Sequence, residues 1–459
     1  MTAQCKKTNS ISFAFYRILS FYFLNKQIYK LAIPNIISNL SVPLLGAVDT
    51  ALVGHLDQIY YLGALAVGGM IFNFVFWGFG FLRMGTTGLT AQAYGKRDRT
   101  EMFMILVRVQ LVASGLGLLL VLMQNPIILF SLFIVESSRE VAEYTKVYFD
   151  IRIYTAPAML ALYGIQGWFL GMQNAKYPMI ITIFMNVLNL GLNIFFIQVL
   201  DMHVDGVAWG TLIATWLSLF LSGWLFMRRY SRYLKHYIQK QILNVIELKR
   251  FFMVNRDIFI RTLCLIFTFS FFTAKSAAQG DLVLAANTIL LQFWMIASYG
   301  IDGFAYAAES LVGRYSGAGD RKKLRQAVFY NLGWGLALGL AGTFIYLAFH
   351  QQILALFTNN TEVIEMALVV VFWTILAPLV SSICYIWDGI FIGATATPPM
   401  RNSMIIATFL VFLPVYYLGT WLYDIHGLWL AMILYMVARG VTLSFYAPGA
   451  IPGIKKADT

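Results

Sequence analysis

Apolar runs of about 20 residues, long enough to cross the roughly 30 Å of hydrocarbon in a bilayer, recur along the chain between short polar stretches. The pattern predicts about twelve membrane helices, at 27–54, 60–83, 103–124, 148–170, 177–199, 206–228, 256–279, 283–311, 326–349, 363–392, 401–422 and 427–447. The period-two alternation of a membrane β-barrel is absent. The expected fold class is an all-α integral membrane protein.

The pattern also repeats at long range. Gly167–Gly171 reads GWFLG, and Gly389–Gly393, 222 residues later, reads GIFIG. YGKRD ends at Asp98, and SGAGD ends at Asp320, again 222 residues later. An offset of six helices preserves direction across the membrane. The halves are therefore expected to be parallel repeats about an axis along the membrane normal, two six-helix lobes with a cavity between them. The expected division is an interfacial lead-in at 1–25, a first lobe at 26–228, a basic linker at 229–255, a second lobe at 256–447 and a tail at 448–459.

Charged residues are 12% of the 459-residue chain, against about 25% in a soluble domain. The net charge of +12 sits in a few loops, so it argues for membrane topology and against nucleic acid as a partner. Basic loops occur at the N-terminus (Lys6, Lys7, Arg17, Lys26, Lys30), at Lys96–Arg99, through the linker from Arg228 to Arg250, at Arg314–Arg325 and at Lys455 and Lys456. The alternate loops are acidic or neutral, apart from the mixed stretch 136–146. That asymmetry places both termini in the cytoplasm of a multi-pass protein of the cell inner membrane.

The N-terminus is basic and then apolar, but no small-residue cleavage site follows, and it is expected to be retained. Cys5, Cys264 and Cys384 are scattered and have neither metal-ligand nor disulfide spacing. No nucleophile elbow, Walker A loop or HExxH motif is present. The reading is therefore not an enzyme, with no metal or cofactor, and with an ion gradient as the energy source.

The chemistry must lie in polar residues inside apolar runs. Asp49 stands within VPLLGAVDTALVGHL, six residues after Pro43 and fifteen after Pro34. A charge at that depth costs several kcal/mol unless paired, hydrated or protonated. The plain alternative is a structural acid held by neighbouring hydroxyls or water. Pro34 and Pro43 each remove a backbone hydrogen bond and can bend the helix. Asn186, Asn189 and Asn193 recur at three and four residues, on one stripe of a helix. They suit either a site or amide glue between helices. Thr211 is a weaker candidate, because threonine in a membrane helix commonly bonds its own backbone. Further along stand Asp302 and Glu309, seven apart, and Asp388. Pairing with Arg314 is the plain alternative for Glu309. Asp388 has no basic residue near in sequence.

The stretch IPNIISNLSVPLLGAVDTALVGHL resembles the first helix of multidrug and toxic compound extrusion (MATE) transporters. LAANTILLQFWMIASYGIDGFAYAAESLVGRYSGAGDRKKL and DGIFIGATATPPMRNSM look like the second half of the DinF-like branch. The resemblance covers about 26–447. It implies a V-shaped cavity between the lobes and exchange of a bulky organic, often cationic, solute for inward H⁺ or Na⁺. Asp49, Asn189 and Thr211 match the family's first-lobe site, whereas Asn193 stands where the family has an acid. H⁺ is therefore expected over Na⁺. Pro34 matches a proline at which some members bend, and Asp388 matches an acid of a second-lobe cation site.

The expected function is a monomeric antiporter of small organic molecules, working by alternating access in the lipid bilayer. A flippase for a lipid-linked precursor is the alternative, and a membrane-embedded transferase a more distant one.

Overall fold

The computed structural model describes residues 21–43, 58–135, 137–242, 244–451 and 453–454. Among them every regular element is helical. Helix α1 covers 21–43 and runs unbroken through Pro34. It is followed by α2 (Ile59–Gly78), α3 (Phe81–Lys96), α4 (Arg99–Leu122), α5 (Gln124–Ile134), α6 (Arg139–Arg152), α7 (Ala156–Gly171), α8 (Lys176–Gln198), α9 (Val204–Tyr230) and the short α10 (Gln239–Ile242). The remainder comprises α11 (Val245–Ala278), α12 (Asp281–Gly317), α13 (Arg321–Phe357), α14 (Thr361–Gly393), α15 (Thr397–Ile405), α16 (Leu413–Tyr423) and α17 (Ile425–Ala450). A π-helical stretch, Ile406–Phe412, joins α15 to α16.

Ten described segments are long and apolar enough to cross a membrane. The two predicted spans outside that set have plain reasons. The described part of the first stops at Pro43, and the fourth is divided into α6 and α7 by a 3₁₀ turn at Ile153–Thr155. The arrangement is consistent with twelve passes. Hydropathy underestimates helix length where a helix continues into a polar loop. The predicted 60–83 is a bent segment reaching Lys96, and α11 begins at Val245, inside the expected linker. Helix α5 was not among the predicted spans. At 11 residues it is too short to cross, and it leaves Leu129, Phe130 and Phe133 exposed.

Both repeat motifs acquire a structural meaning. At YGKRD, Arg97 takes a left-handed φ of 60° and Asp98 caps α4, its side chain accepting from the Glu101 N–H at 2.9 Å. At SGAGD, Gly319 has φ 68° and Asp320 caps α13, accepting from the Lys323 N–H at 3.0 Å. Each motif is a sharp helix stop followed by an N-cap. The glycine motifs allow close helix approach. A Cβ on Gly167 would stand 2.4 Å from the Arg83 carbonyl oxygen, and one on Gly389 would stand 2.2 Å from that of Ala305. Thus α7 lies on α3 as α14 lies on α12, at the same 222-residue offset.

The two halves meet where α3 crosses α12, near the basic loops. The contact is reciprocal. A Cβ on Gly95 would meet the Arg314 carbonyl oxygen at 2.0 Å, and one on Gly317 would meet that of Gln92 at 2.1 Å. Each contact is the other displaced by 222 residues, the pattern of an isologous, two-fold-like interface. Side chains fasten the same end. Gln92 donates to the Ala394 carbonyl at 2.8 Å and to Thr395 Oγ1 at 2.9 Å. Gln173 donates to the Ser310 carbonyl at 2.9 Å, while Ser310 Oγ donates to the Leu170 carbonyl at 2.7 Å.

Gly95→Ala is therefore expected to lower the thermal unfolding midpoint in detergent, at the ~1–3 kcal/mol typical of overpacking. Gly69, with nothing within 4 Å of its Cβ position, is the control. There the same change should be neutral or stabilise by up to ~1 kcal/mol.

Candidate functional site

Asp49 lies outside the described residues, so the first-half site is built from the side chains expected around it. Asn186, Asn189 and Asn193 all point into protein and are buried. Their shared stripe on α8 faces α9 and α1. Asn186 Nδ2 donates to Ser41 Oγ on α1 at 2.9 Å. Asn189 Nδ2 donates to Thr211 Oγ1 on α9 at 3.1 Å and faces Asn193 at 3.4 Å. Thr211 also donates to its own Val207 carbonyl at 2.9 Å. The backbone bond anticipated for it coexists with the amide contact. A Cβ on Gly210 would stand 2.0 Å from Asn193 Oδ1, so the glycine allows α9 close enough for Thr211 to reach α8. The amide network thus joins three helices and approaches α1 eight residues before Asp49. Pro43 is the last described residue of α1.

The second-half acids are placed differently from their expected surroundings. Glu309 does not pair with Arg314. Its carboxylate stands 3.8 Å from Arg83 Nη1 on α3, because the crossing turns this face of α12 towards the other half. The Arg83 guanidinium also lies 4.0 Å from the centre of the Tyr306 ring, a cation–π distance. Asp388, isolated from bases in sequence, is held by two of them in space. Arg261 on α11 and Arg439 on α17 both donate to its Oδ2, the latter at 2.6 Å. Arg439 is fully buried and lies over Tyr385 and Tyr435. A carboxylate engaged by two guanidiniums is a counter-charge first. Its other oxygen, Oδ1, is buried without a described partner.

Asp302 is the contrasting case. It is half-buried and makes no hydrogen bond or close ion pair with a described residue. The charges that act on it are those of Arg261, Arg83, Asp388 and Arg439. It therefore stands between the Arg83–Glu309 pair and the Asp388 cluster. Three bases and three acids compensate one another across the two halves.

Arg83, Arg261 and Arg439 were absent from the sequence-level candidates. The signal was available, since each is a base within an apolar run. An intramembrane arginine is as costly as an intramembrane aspartate.

The MatE family model matches residues 34–195 and 258–418, that is, both halves of the repeat. The chain belongs to the MatE family. It is 37% identical to DNA damage-inducible protein F of Escherichia coli strain K12, over 94% of each chain. It is 24% identical to the multidrug resistance protein NorM of Vibrio cholerae, over 91% of this chain and 93% of that protein. In structure it superposes on the Vibrio cholerae MATE transporter VcmN in its bent form, with a TM-score of 0.83 at 21% identity over 94% and 98% of the two chains. MATE proteins are multi-pass membrane transporters of small molecules, not enzymes, and this chain is one of them.

Within this MATE transporter the acids differ in what they hold together. Asp388→Asn leaves two buried guanidiniums without a counter-charge, and is expected to destabilise the fold by about 3–5 kcal/mol. Asp302→Asn breaks no close ion pair and should cost less than Asp388→Asn. Thermal unfolding of the two purified variants checks this. Equal stability would remove the structural role assigned to Asp388.

Proposed function

We propose that the chain is a secondary active antiporter that exports bulky organic, often cationic, compounds in exchange for inward protons. The observation that carries the reading is the ionisable pair that joins the halves inside the membrane, Arg83 and Glu309, with Asp302 seven residues before Glu309 on the same helix. Such groups mark substrate and ion pathways, because their cost in hydrocarbon is tolerated only for function or tight pairing. That the NorM relative is a multidrug resistance protein supports export of drugs.

In this reading the basic loops face the cytoplasm, as do both termini, and the protein works as a monomer in the cell inner membrane. The halves are two lobes, with the linker near 229–255 joining them. Their reciprocal contact lies at the basic-loop end, which makes this an outward-facing state with a V-shaped opening on the other side. Alternating access then requires the α3–α12 contact to part.

Asp49 is the coupling carboxylate. Ser41, eight residues before it in sequence, and Asn186 tie α1 to the Asn189–Asn193–Thr211 network. A proton reaching Asp49 would neutralise it and change its hydrogen bonding, and α1 would bend near Pro34 or Pro43. Substrate and proton compete for one conformational equilibrium and need not touch. Protons fit better than sodium because Asn193 supplies no second carboxylate. Among the second-half candidates, Asp302 is free to exchange a proton, whereas Asp388 and Glu309 are engaged by arginines. The charge balance of the cluster does not favour a lipid-precursor flippase, which calls for a strongly cationic cavity.

Inverted vesicles test this with ethidium and an imposed proton or sodium gradient. The expected result is proton-driven uptake, reduced about tenfold or more by Asp49→Asn, within the usual range of coupling between two sites. Absence of uptake under either gradient, with folded protein, overturns the proposal. A further expectation concerns Asn193→Asp. Restoring a carboxylate there should make uptake respond to a sodium gradient, and an unchanged ion dependence would show that this position does not set the coupling ion.

A further inference from the structure

Helix α11 has 34 residues, about 51 Å at 1.5 Å per residue. Counted back from Ala278, the roughly 20 residues needed to cross hydrocarbon end near Ile258. The first three turns, 245–257, therefore lie at headgroup depth beside the basic loops. A cleft of about 290 Å³ opens there, against the turn between α14 and α15. Its walls include Lys249, Arg250, Met253, Asp257, Thr395 and Thr397.

The charges around this cleft are unequal. Arg256 and Arg401 join Lys249 and Arg250 on the basic side, against Asp257 and Glu247. Asp257 is already spent: its Oδ1 accepts from Arg401 at 2.8 Å and Arg256 at 3.1 Å, and its Oδ2 accepts from Thr397 at 3.0 Å. Lys249 is exposed and has no described ion pair. Arg250 gives one N–H to Gln92 Oε1 at 2.7 Å, out of the five a guanidinium carries. Exposed apolar side chains flank these heads, with Val245 and Ile246 at 77% and 76% exposure and Phe252 and Met253 beside them. Basic heads with apolar neighbours at the membrane interface match an anionic lipid, its phosphate on the bases and its upper acyl chain on the apolar residues.

We propose that this cleft binds the phosphate headgroup of an anionic glycerophospholipid. The site adjoins the clasp between the halves, because the Gln92 that receives Arg250 also holds Ala394 and Thr395. A bound headgroup therefore steadies the closed basic-loop end. The proposal does not rest on the transport reading or on the identity of the substrate.

The test uses the purified full chain in detergent, titrated with phosphatidylglycerol, phosphatidylcholine or inorganic phosphate, with the thermal unfolding midpoint as readout. Phosphatidylglycerol alone should raise the midpoint, saturably. In the double variant Lys249→Gln, Arg250→Gln the lipid should bind about thirtyfold more weakly, the loss expected for two bases near an anionic surface. Lys322→Gln with Arg325→Gln, in another basic loop, should leave binding unchanged. If the Arg250 change prevents folding through the lost Gln92 bond, Lys249→Gln alone should still weaken binding severalfold. An equal response to inorganic phosphate overturns the lipid assignment. Undiminished binding in the cleft variants, or an equal loss in the distant pair, overturns the site.

Discussion

Two helices cross with backbone against backbone. Where α3 meets α12, neither Gly95 nor Gly317 has room for even a Cβ beside the opposing carbonyl oxygen. In hydrocarbon there is little hydrophobic gain from bringing helices together, so association depends on close packing and interhelical polar contacts. The crossing supplies both, with the Gln92 and Gln173 amides fastening carbonyls of the opposite half. Because the contact is reciprocal, it holds the halves with like surfaces. An interface of that kind is discrete, made or unmade.

The crossing also determines the electrostatics. It brings Arg83 of the first half to Glu309 of the second and leaves Asp302 between that pair and the Arg261–Asp388–Arg439 cluster. Charges that would each be prohibitive alone become tolerable as a compensated set. Their cancellation depends on the relative position of the halves. Moving one half would change the counter-charge near Glu309, whose partner Arg83 belongs to the other half. The Asp388 cluster lies wholly on helices of the second half, so its ion pairs do not depend on the first. That separates a structural acid from acids able to respond.

The family match and the structural likeness agree with the helical plan and the repeat. The amide stripe on α8 behaves as its spacing indicated, buried and turned towards α1 and α9. Asn193, where the family pattern has an acid, lies in an amide pair with Asn189. The described amide network of the first half is thereby free of charge.

Much of this protein was legible in the linear chain. The all-helical plan and the placement of most spans follow from hydropathy, because a bilayer allows few other ways to satisfy the backbone. The 222-residue repeat was visible because the same turn and the same close packing require the same small residues twice. Candidate acids and amides were visible because each polar side chain in an apolar run is an exception that needs a reason. Their partners were not. Asp388 meets Arg261 and Arg439 across 127 and 51 residues, and Glu309 meets a base in the other half rather than the nearby Arg314. Sequence marks a charge as costly, but which opposite charge offsets it depends on how helices cross, and that is decided only when the whole bundle packs.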